Sequence, residues 1–211
     1  MHSNKYTNKQ VKPVISIKNL TVTFPKGFFL QKKNIINNLS FTVSPGECMG
    51  VIGNNGSGKT TLLKALSGLI VTKSGSIQLP QKKMGYVPER YYGPPFLTAK
   101  QFMVYMGKLY GIKKNILYQK IEQLFSQYNL HQYADEQIKY LSQGSAQRLY
   151  IAQALIHEPQ VLLLDEPFSG LDHASVAQLK RSLKKITQKG TALLCATHTI
   201  ESEYFDRVLH L

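Results

Sequence analysis

The stretch GNNGSGKTT, from Gly53 to Thr61, lies between the apolar run Met49 to Ile52 and the helix-like LLKALSGL. A triphosphate packs several charges into a small volume, and it is held best by converging backbone N–H groups at the positive end of a helix dipole. Gly53, Gly56 and Gly58 let the loop curl that closely, with Asn54, Asn55 and Ser57 between them. Lys59 then reaches the β- and γ-phosphates, and Thr60, followed by Thr61, offers a hydroxyl to Mg²⁺ as the helix begins. Kinases, GTPases and ATPases all use this cradle, so a second motif must decide.

VLLLDEP supplies that motif. Four apolar residues end in Asp165, placed to orient a magnesium shell, and in Glu166, which can polarise an attacking water. Two adjacent carboxylates after a buried strand are costly unless chemistry needs them. No Asn-Lys-x-Asp guanine-reading motif occurs, which points to ATP.

The elements that must position these groups follow from periodicity. Val14 to Phe24 alternates apolar and polar residues as a half-buried strand does, and Leu39 to Val43 alternates again. PKGFFLQKKNIINN between them reads as an irregular or hairpin-like connection, so the amino-terminal part is expected to be antiparallel β. From Glu47 onward, apolar runs (CMGVIG, VLLLD, TALLCAT, with Arg207 to Leu211 as a last strand) are separated by helical stretches, as in a buried parallel sheet covered by helices. After Asp172, the residues Val176, Leu179, Leu183 and Ile186 form a helical core stripe that Gly190 stops. Phe96 to Leu141 reads as an inserted α-helical subdomain. Its first helix starts at a capping box on Thr98 and Gln101 and buries Met103, Met106, Leu109 and Tyr110. Its second buries Leu117, Ile121, Leu124, Phe125 and Tyr128. The expected organisation is a disordered tail over 1–12 and one domain over 13–211, with a core at 13–95 and 142–211 and the helical insertion at 96–141.

LSQGSAQRLYIAQALIHEP completes a resemblance to the nucleotide-binding domains of the ATP-binding cassette (ABC) family, covering Val14 to Leu211. It resembles the family signature, Leu-Ser-Gly-Gly-Gln and its helix, through Leu141, Ser142, Gln143, Gly144 and Ser145. Physically, Ser142 and the backbone at Gly144 open a helix whose free N–H groups form a second anion site. The resemblance implies a P-loop NTPase core, and two domains packed head to tail so that each signature seals the γ-phosphate held by the other. Ser169, Gly170, Leu171 and Asp172 resemble the loop that crosses that interface. His198 resembles the switch histidine on the γ-phosphate, and it follows a predicted strand at the end where sites of open α/β sheets gather.

Three departures accompany the resemblance. Glu89, in MGYVPER, stands where the family usually has a glutamine that touches magnesium and links to the membrane partner; exporter-type members resemble this form. Gln143 and Ser145 replace the usual signature residues. The adenine-stacking aromatic is Phe24 by its place after LTVT, with Phe28 and Phe29 as alternatives. The end at Leu211 gives the look of a minimal cassette.

No apolar run approaches the roughly 20 residues of a membrane-spanning helix. The polar N-terminus does not read as a secretory signal. Cys48 and Cys195 sit in strand-like stretches as reduced buried thiols. Together with these features, the resemblance implies a cytoplasmic ATPase subunit, peripheral on the membrane through an integral membrane partner, with Glu89 to Pro95 and the helical subdomain, Tyr91 and Tyr92 included, as the docking groove. The alternative is a soluble ABC ATPase on nucleic acid or ribosomes, which the net charge of +14 (26 Lys and Arg against 12 Asp and Glu) would serve. Such relatives generally carry two cassettes or a long inserted arm, neither visible here, so a nucleic-acid partner is not expected. A small-molecule kinase would leave LSQGS and Glu166 without purpose.

Overall fold

The computed structural model describes residues 12–26, 31–90, 93–198 and 202–211. The expected tail up to residue 11 and the side chains of Phe28, Phe29, Tyr91 and Tyr92 lie outside the described residues. Two sheets and five α-helices build what is described, with the P-loop architecture of a mostly parallel sheet, an amino-terminal antiparallel sheet and inserted helices.

Strands β1 (Ile15–Lys26), β2 (Gln31–Val43) and β4 (Ser74–Gln78) form the antiparallel sheet in the order β2-β1-β4. Of the two readings of the connection after Phe24, irregular or hairpin-like, the hairpin is the one found, and much of the segment is strand. Phe24 pairs with Lys33 and Thr23 with Asn34, so the hairpin register overrides a polar, asparagine-rich sequence. The ladder shifts register near Asn19 and Asn38, both at φ 50°, where asparagine tolerates the left-handed conformation. Side chains close the irregularities: Asn19 N donates to Ser40 Oγ at 2.8 Å and Asn38 N to Thr21 Oγ1 at 3.1 Å.

The five-stranded sheet is parallel, in the order β5-β6-β7-β3-β8. It comprises β3 (Cys48–Ile52), β5 (Met84–Val87), β6 (Val161–Asp165), β7 (Ala192–Thr197) and β8 (Arg207–His210). Successive residues point to opposite faces. Val161, Leu163, Ala192 and Leu194 pack with β1, β2 and helix α1 (Lys59–Leu66). Leu162, Leu164, Leu193 and Cys195 pack with the remaining helices. Those are α2 (Ala99–Leu109), α3 (Lys114–Gln127), α4 (Gln143–Leu155) and α5 (His173–Gln188). Both faces are covered, which is why these strands read as unbroken apolar runs. The two cysteine thiols are buried, and desolvation pushes that of Cys48 up to about 12.

The capping box forms at α2: Thr98 Oγ1 accepts from Gln101 N, and Gln101 Oε1 accepts from Thr98 N. Its buried face differs from the expected one. Ala99, Phe102, Met103 and Gly107 are buried, whereas Leu109 is 64% exposed and Tyr110 43%. Gly107 explains the rotation, because a Cβ there would stand 2.1 Å from Leu117 Cδ1. The helices approach along that glycine, which turns Leu109 to solvent. On α3, Leu117, Ile121 and Phe125 are buried as expected, with Tyr128 just past its end.

Gly75 holds β4 against the bulge of β1 at φ 98°, and a Cβ there would meet Asn19 O at 2.6 Å and Leu20 Cα at 2.7 Å. Both are backbone atoms that cannot swing aside. We expect Gly75→Ala to cost about 2–4 kcal/mol of stability, read from the urea midpoint at unchanged slope; a loss below about 0.5 kcal/mol would show that β4 does not need this approach.

Candidate functional site

Three strands deliver the candidate site at one level. Ile52 of β3 is in register with Thr197 of β7, and Ala196 of β7 with Asp165 of β6. Gly53, Glu166 and His198 are thus the first or nearly the first residues past three neighbouring carboxyl ends, where ligands of open α/β sheets bind.

The loop after β3 is built for an anion. Gly56 (φ 82°) and Gly58 (φ 110°) adopt conformations that side chains resist, and Gly58 begins α1 with no capping side chain and no acidic residue in the first turn. The first helical N–H groups are left to a ligand. Lys59 is only 6% exposed; its ammonium lies 2.8 Å from Gly53 O, 3.3 Å from Asn54 O and 3.3 Å from Glu166 Oε1.

Asp165 shares the face of Val161 and Leu163 by strand alternation, so it points at α1, where Thr60 Oγ1 donates to its Oδ1 at 3.1 Å. Asp165 is 1% exposed and its Oδ2 is buried without a hydrogen-bond partner among the described residues. Burial above all raises its pKa; the Thr60 hydrogen bond opposes, while Glu166 and Glu89 add to the rise. An orphaned carboxylate oxygen beside a threonine hydroxyl suits a hard divalent cation, so these residues fit Mg²⁺. Among the described residues no group of three or more His, Cys, Asp or Glu side chains gathers as a metal set. An ion here would therefore take further oxygens from phosphate and water.

Glu166 leaves β6 at φ 46°, a left-handed conformation costing about 1 kcal/mol for a residue with a Cβ. Its N–H donates to Ala196 O at 2.8 Å. That break in the strand turns the side chain between Lys59 and His198: Oε2 lies 2.8 Å from His198 Nδ1 and accepts from His198 N at 3.3 Å. One carboxylate thus bridges a buried cation and a half-exposed imidazole.

A cavity of about 670 Å³ joins these groups. Its walls include Asn55, Gly56, Gly58, Lys59, Thr60 and Thr61 from the phosphate loop and α1, with Glu89, Glu166, Ser169 and His198 opposite. Phe24 lines the mouth and is 41% exposed. Ile35, on β2 behind Gly58, was not anticipated: it falls in the segment that read as a connection, and no local pattern marks it. A separate cavity of about 560 Å³ at the opposite end of the sheet, beside Lys120, Glu158 and Thr191, gathers no comparable set of groups.

Ser142, Gln143, Gly144 and Ser145 are not among the residues lining the phosphate cavity. Ser142 is exposed and caps α4, accepting from Ser145 N at 3.3 Å. Ser145 is fully buried and its hydroxyl donates to Ser142 O at 3.0 Å, so it faces its own turn rather than a second ligand. Gln143 instead donates to Ser169 O at 3.0 Å. Of the loop read as crossing an interface, Ser169, Gly170 and Asp172 are exposed and Leu171 packs on the core. Asp172 caps α5 by accepting from Ser175 N at 2.7 Å, a bond that holds its carboxyl below the ordinary range.

The burial of Asp165 yields a signed expectation. Below its ordinary pKa of 3.8 the protonated acid costs little; above its raised native value the buried anion's penalty is fully present. Asp165→Asn should therefore raise the Tm of the ligand-free protein near neutral pH by about 2–4 °C, the shift that about 1 kcal/mol gives a domain of this size, and by nothing well below pH 3.8. The same change should abolish the further Tm rise that Mg²⁺ adds to ATP. Calorimetry with and without each component checks both; an equal Mg²⁺ effect in the variant would remove Asp165 from the metal site.

A family model described as ABC transporter matches residues 36–169. The chain is 34% identical over 206 residues to an uncharacterized ABC transporter ATP-binding protein of Methanocaldococcus jannaschii, covering 95% of this chain and 75% of that protein. It is also 34% identical over 180 residues to Nod factor export ATP-binding protein I of Burkholderia lata, covering 80% of this chain and 59% of that one, and it spans about three fifths of several such relatives. A solved dimeric bacterial ABC transporter cassette superposes with a TM-score of 0.85 at 23% identity, covering 93% of this chain and 94% of that one, a likeness of fold. With the phosphate loop, the carboxylate pair and the capped signature helix in place, the chain belongs to the ABC transporter family, as an ATP-binding cassette.

Proposed function

We propose that the chain hydrolyses Mg·ATP as the ATPase subunit of an exporter, working as a head-to-tail pair of cassettes on the cytoplasmic face of a separate membrane subunit. The observation that carries the pairing is a division of labour. Residues of the phosphate loop, Glu166, Glu89 and His198 share one cavity, with Asp165 behind Thr60, while the exposed signature turn at Ser142 stands outside its walls. An anion site with nothing of its own chain to bind is explained by a nucleotide on a second copy or a paired cassette. Because Ser145 is spent on its own turn, Ser142 and the first free N–H groups at Gln143 and Gly144 would make that contact.

Each group then has a task. Lys59 exchanges the carbonyls of Gly53 and Asn54 for β- and γ-phosphate oxygens, a charge-assisted replacement. Thr60 and Asp165 would hold the magnesium, and Glu89 faces the same space. A Mg²⁺ held there would supply neutralisation of phosphate charge. Glu166 accepts a proton from the attacking water, and the hydrogen bond it accepts from His198 Nδ1 aims it; only in its doubly protonated form does His198 also donate from Nε2 toward the γ-phosphate. Phe24 at the cavity mouth stacks on adenine.

The exporter reading is supported by the Tyr86-Val87-Pro88-Glu89 form and by the Nod factor export relative. No helix among the described residues is long and apolar enough to cross a membrane; we assign the spans to a partner. The exposed Phe96 and Tyr140 lie close together, since Lys139 N donates to Pro95 O and Ile138 N to Leu97 O, and they offer apolar contact beside the signature turn.

Glu166→Gln keeps the shape and removes the base. It should lower kcat about 10²–10⁴-fold and accumulate a dimer on adding Mg·ATP. Steady-state turnover and light scattering test both; unchanged turnover together with a monomer in ATP would overturn the assignment.

A further inference from the structure

Gln143 makes an unexpected contact. Its side-chain amide donates to Ser169 O at 3.0 Å, joining the signature turn to the exposed loop that follows Glu166. The fit is closer than one hydrogen bond. Gly170 stands at φ 70°, and a Cβ there would lie 2.2 Å from Gln143 Nε2 and 2.6 Å from Oε1, so the amide occupies the space that a side chain would fill. Alongside, a Cβ on Gly144 would make ordinary contact with Leu171 Cδ2 at 3.6 Å. Ser169 N in turn donates to Glu166 O at 3.1 Å. A continuous path therefore runs from the general base, through the backbone of Ser169, to the amide of Gln143 and the cap of α4.

We propose that Gln143 is a positioning residue that locks the signature turn to the Glu166–Asp172 segment of its own chain, so that the anion site offered to a partner moves with the base serving the chain's own nucleotide. This rests on the head-to-tail pairing proposed above. The two ends of the path serve different nucleotides: Glu166 acts on the one this chain binds, Ser142 on the one its partner binds. A rigid link between them couples the two sites, so that closing one pocket sets the geometry offered to the other. The donor matters because Ser169 O can only accept. Glutamine supplies an N–H there; glutamate at the same place would set oxygen against oxygen.

The test uses the full chain in the Glu166→Gln background, where the ATP-bound dimer accumulates. Adding Gln143→Ala or Gln143→Glu should weaken ATP-driven dimerisation about fivefold or more, the effect of one lost hydrogen bond, while nucleotide affinity measured at monomeric dilution stays constant. Gln143→Lys, which restores a donor, should recover most of the loss. In the parent chain the Hill coefficient of ATPase activity against ATP should fall toward about 1 in the alanine and glutamate variants and be kept in the lysine one, a readout that loss of folding would not produce. Thermal unfolding of every variant guards against misfolding, and Gly170→Ala, which pushes the amide away from the other side, should reproduce the loss of cooperativity. If Glu166→Gln alone fails to dimerise with ATP, the pairing itself is wrong. If it dimerises and the Gln143 variants keep the same affinity and Hill coefficient, the pairing stands and the coupling role of Gln143 is overturned.

Discussion

The Asp165 carboxyl is buried, with one oxygen bonded by Thr60 and the other without a hydrogen-bond partner among the described residues. That unpaid electrostatic debt organises the surroundings. Strand alternation forces the carboxylate toward α1, parallel pairing sets β3 and β7 level with it, and the same level fixes where the phosphate loop and His198 leave the sheet. A cation that satisfies Oδ2 and a polyphosphate that satisfies the loop N–H groups each relieve a cost already built into the fold. Binding energy is in this sense stored as desolvation before any ligand arrives.

Glu166 extends the same economy of charge. Its left-handed backbone breaks the alternation that would have sent it into the opposite core with Leu162 and Leu164. The side chain instead spans Lys59 and His198, so a buried ammonium and an imidazole share one counter-charge. In the proposed reading, phosphate oxygens would draw Lys59 away and the carboxylate would keep the histidine, which holds it aimed where the attacking water must lie. In that reading, nucleotide binding would free Glu166 from Lys59, and Gln143 would carry the position of that segment outward.

Much of this was legible in the residue order because the relevant signals are local. The glycines of the phosphate loop, the apolar run ending at Asp165 and the Thr98 capping box each announce their geometry within a few positions. Two features were hidden for the opposite reason. The hairpin around Phe24 and Ile35 is held by cross-strand register, which a polar run such as QKKNIINN does not display. The face of α2 is set by Gly107 meeting Leu117 of the next helix, and no property of α2 alone says that Leu109 should lose to Phe102. The Gln143 contact is of the same kind, since it depends on the left-handed backbone of a glycine 27 positions further on.

The distribution of charge argues that the surplus of basic residues is not what the site uses. Of 12 acidic residues, Glu89, Asp165 and Glu166 line or abut the phosphate cavity, an acidic bias inside a chain of net charge +14. Several others are committed to architecture: Glu47 pairs Arg207 at 2.6 Å, Glu158 pairs Lys120 at 2.8 Å, and Asp206 accepts from Cys48 N at 2.8 Å. Bases such as Lys184, Lys185 and Lys189 stand exposed at the far end of α5. Three carboxylates beside a triphosphate repel it, with Lys59 as the one buried cation among the described residues of the cavity wall. In the proposed reading, nucleotide would be admitted on terms that a divalent ion must offset, and Glu89, standing where the family usually has a glutamine, would make that dependence steeper.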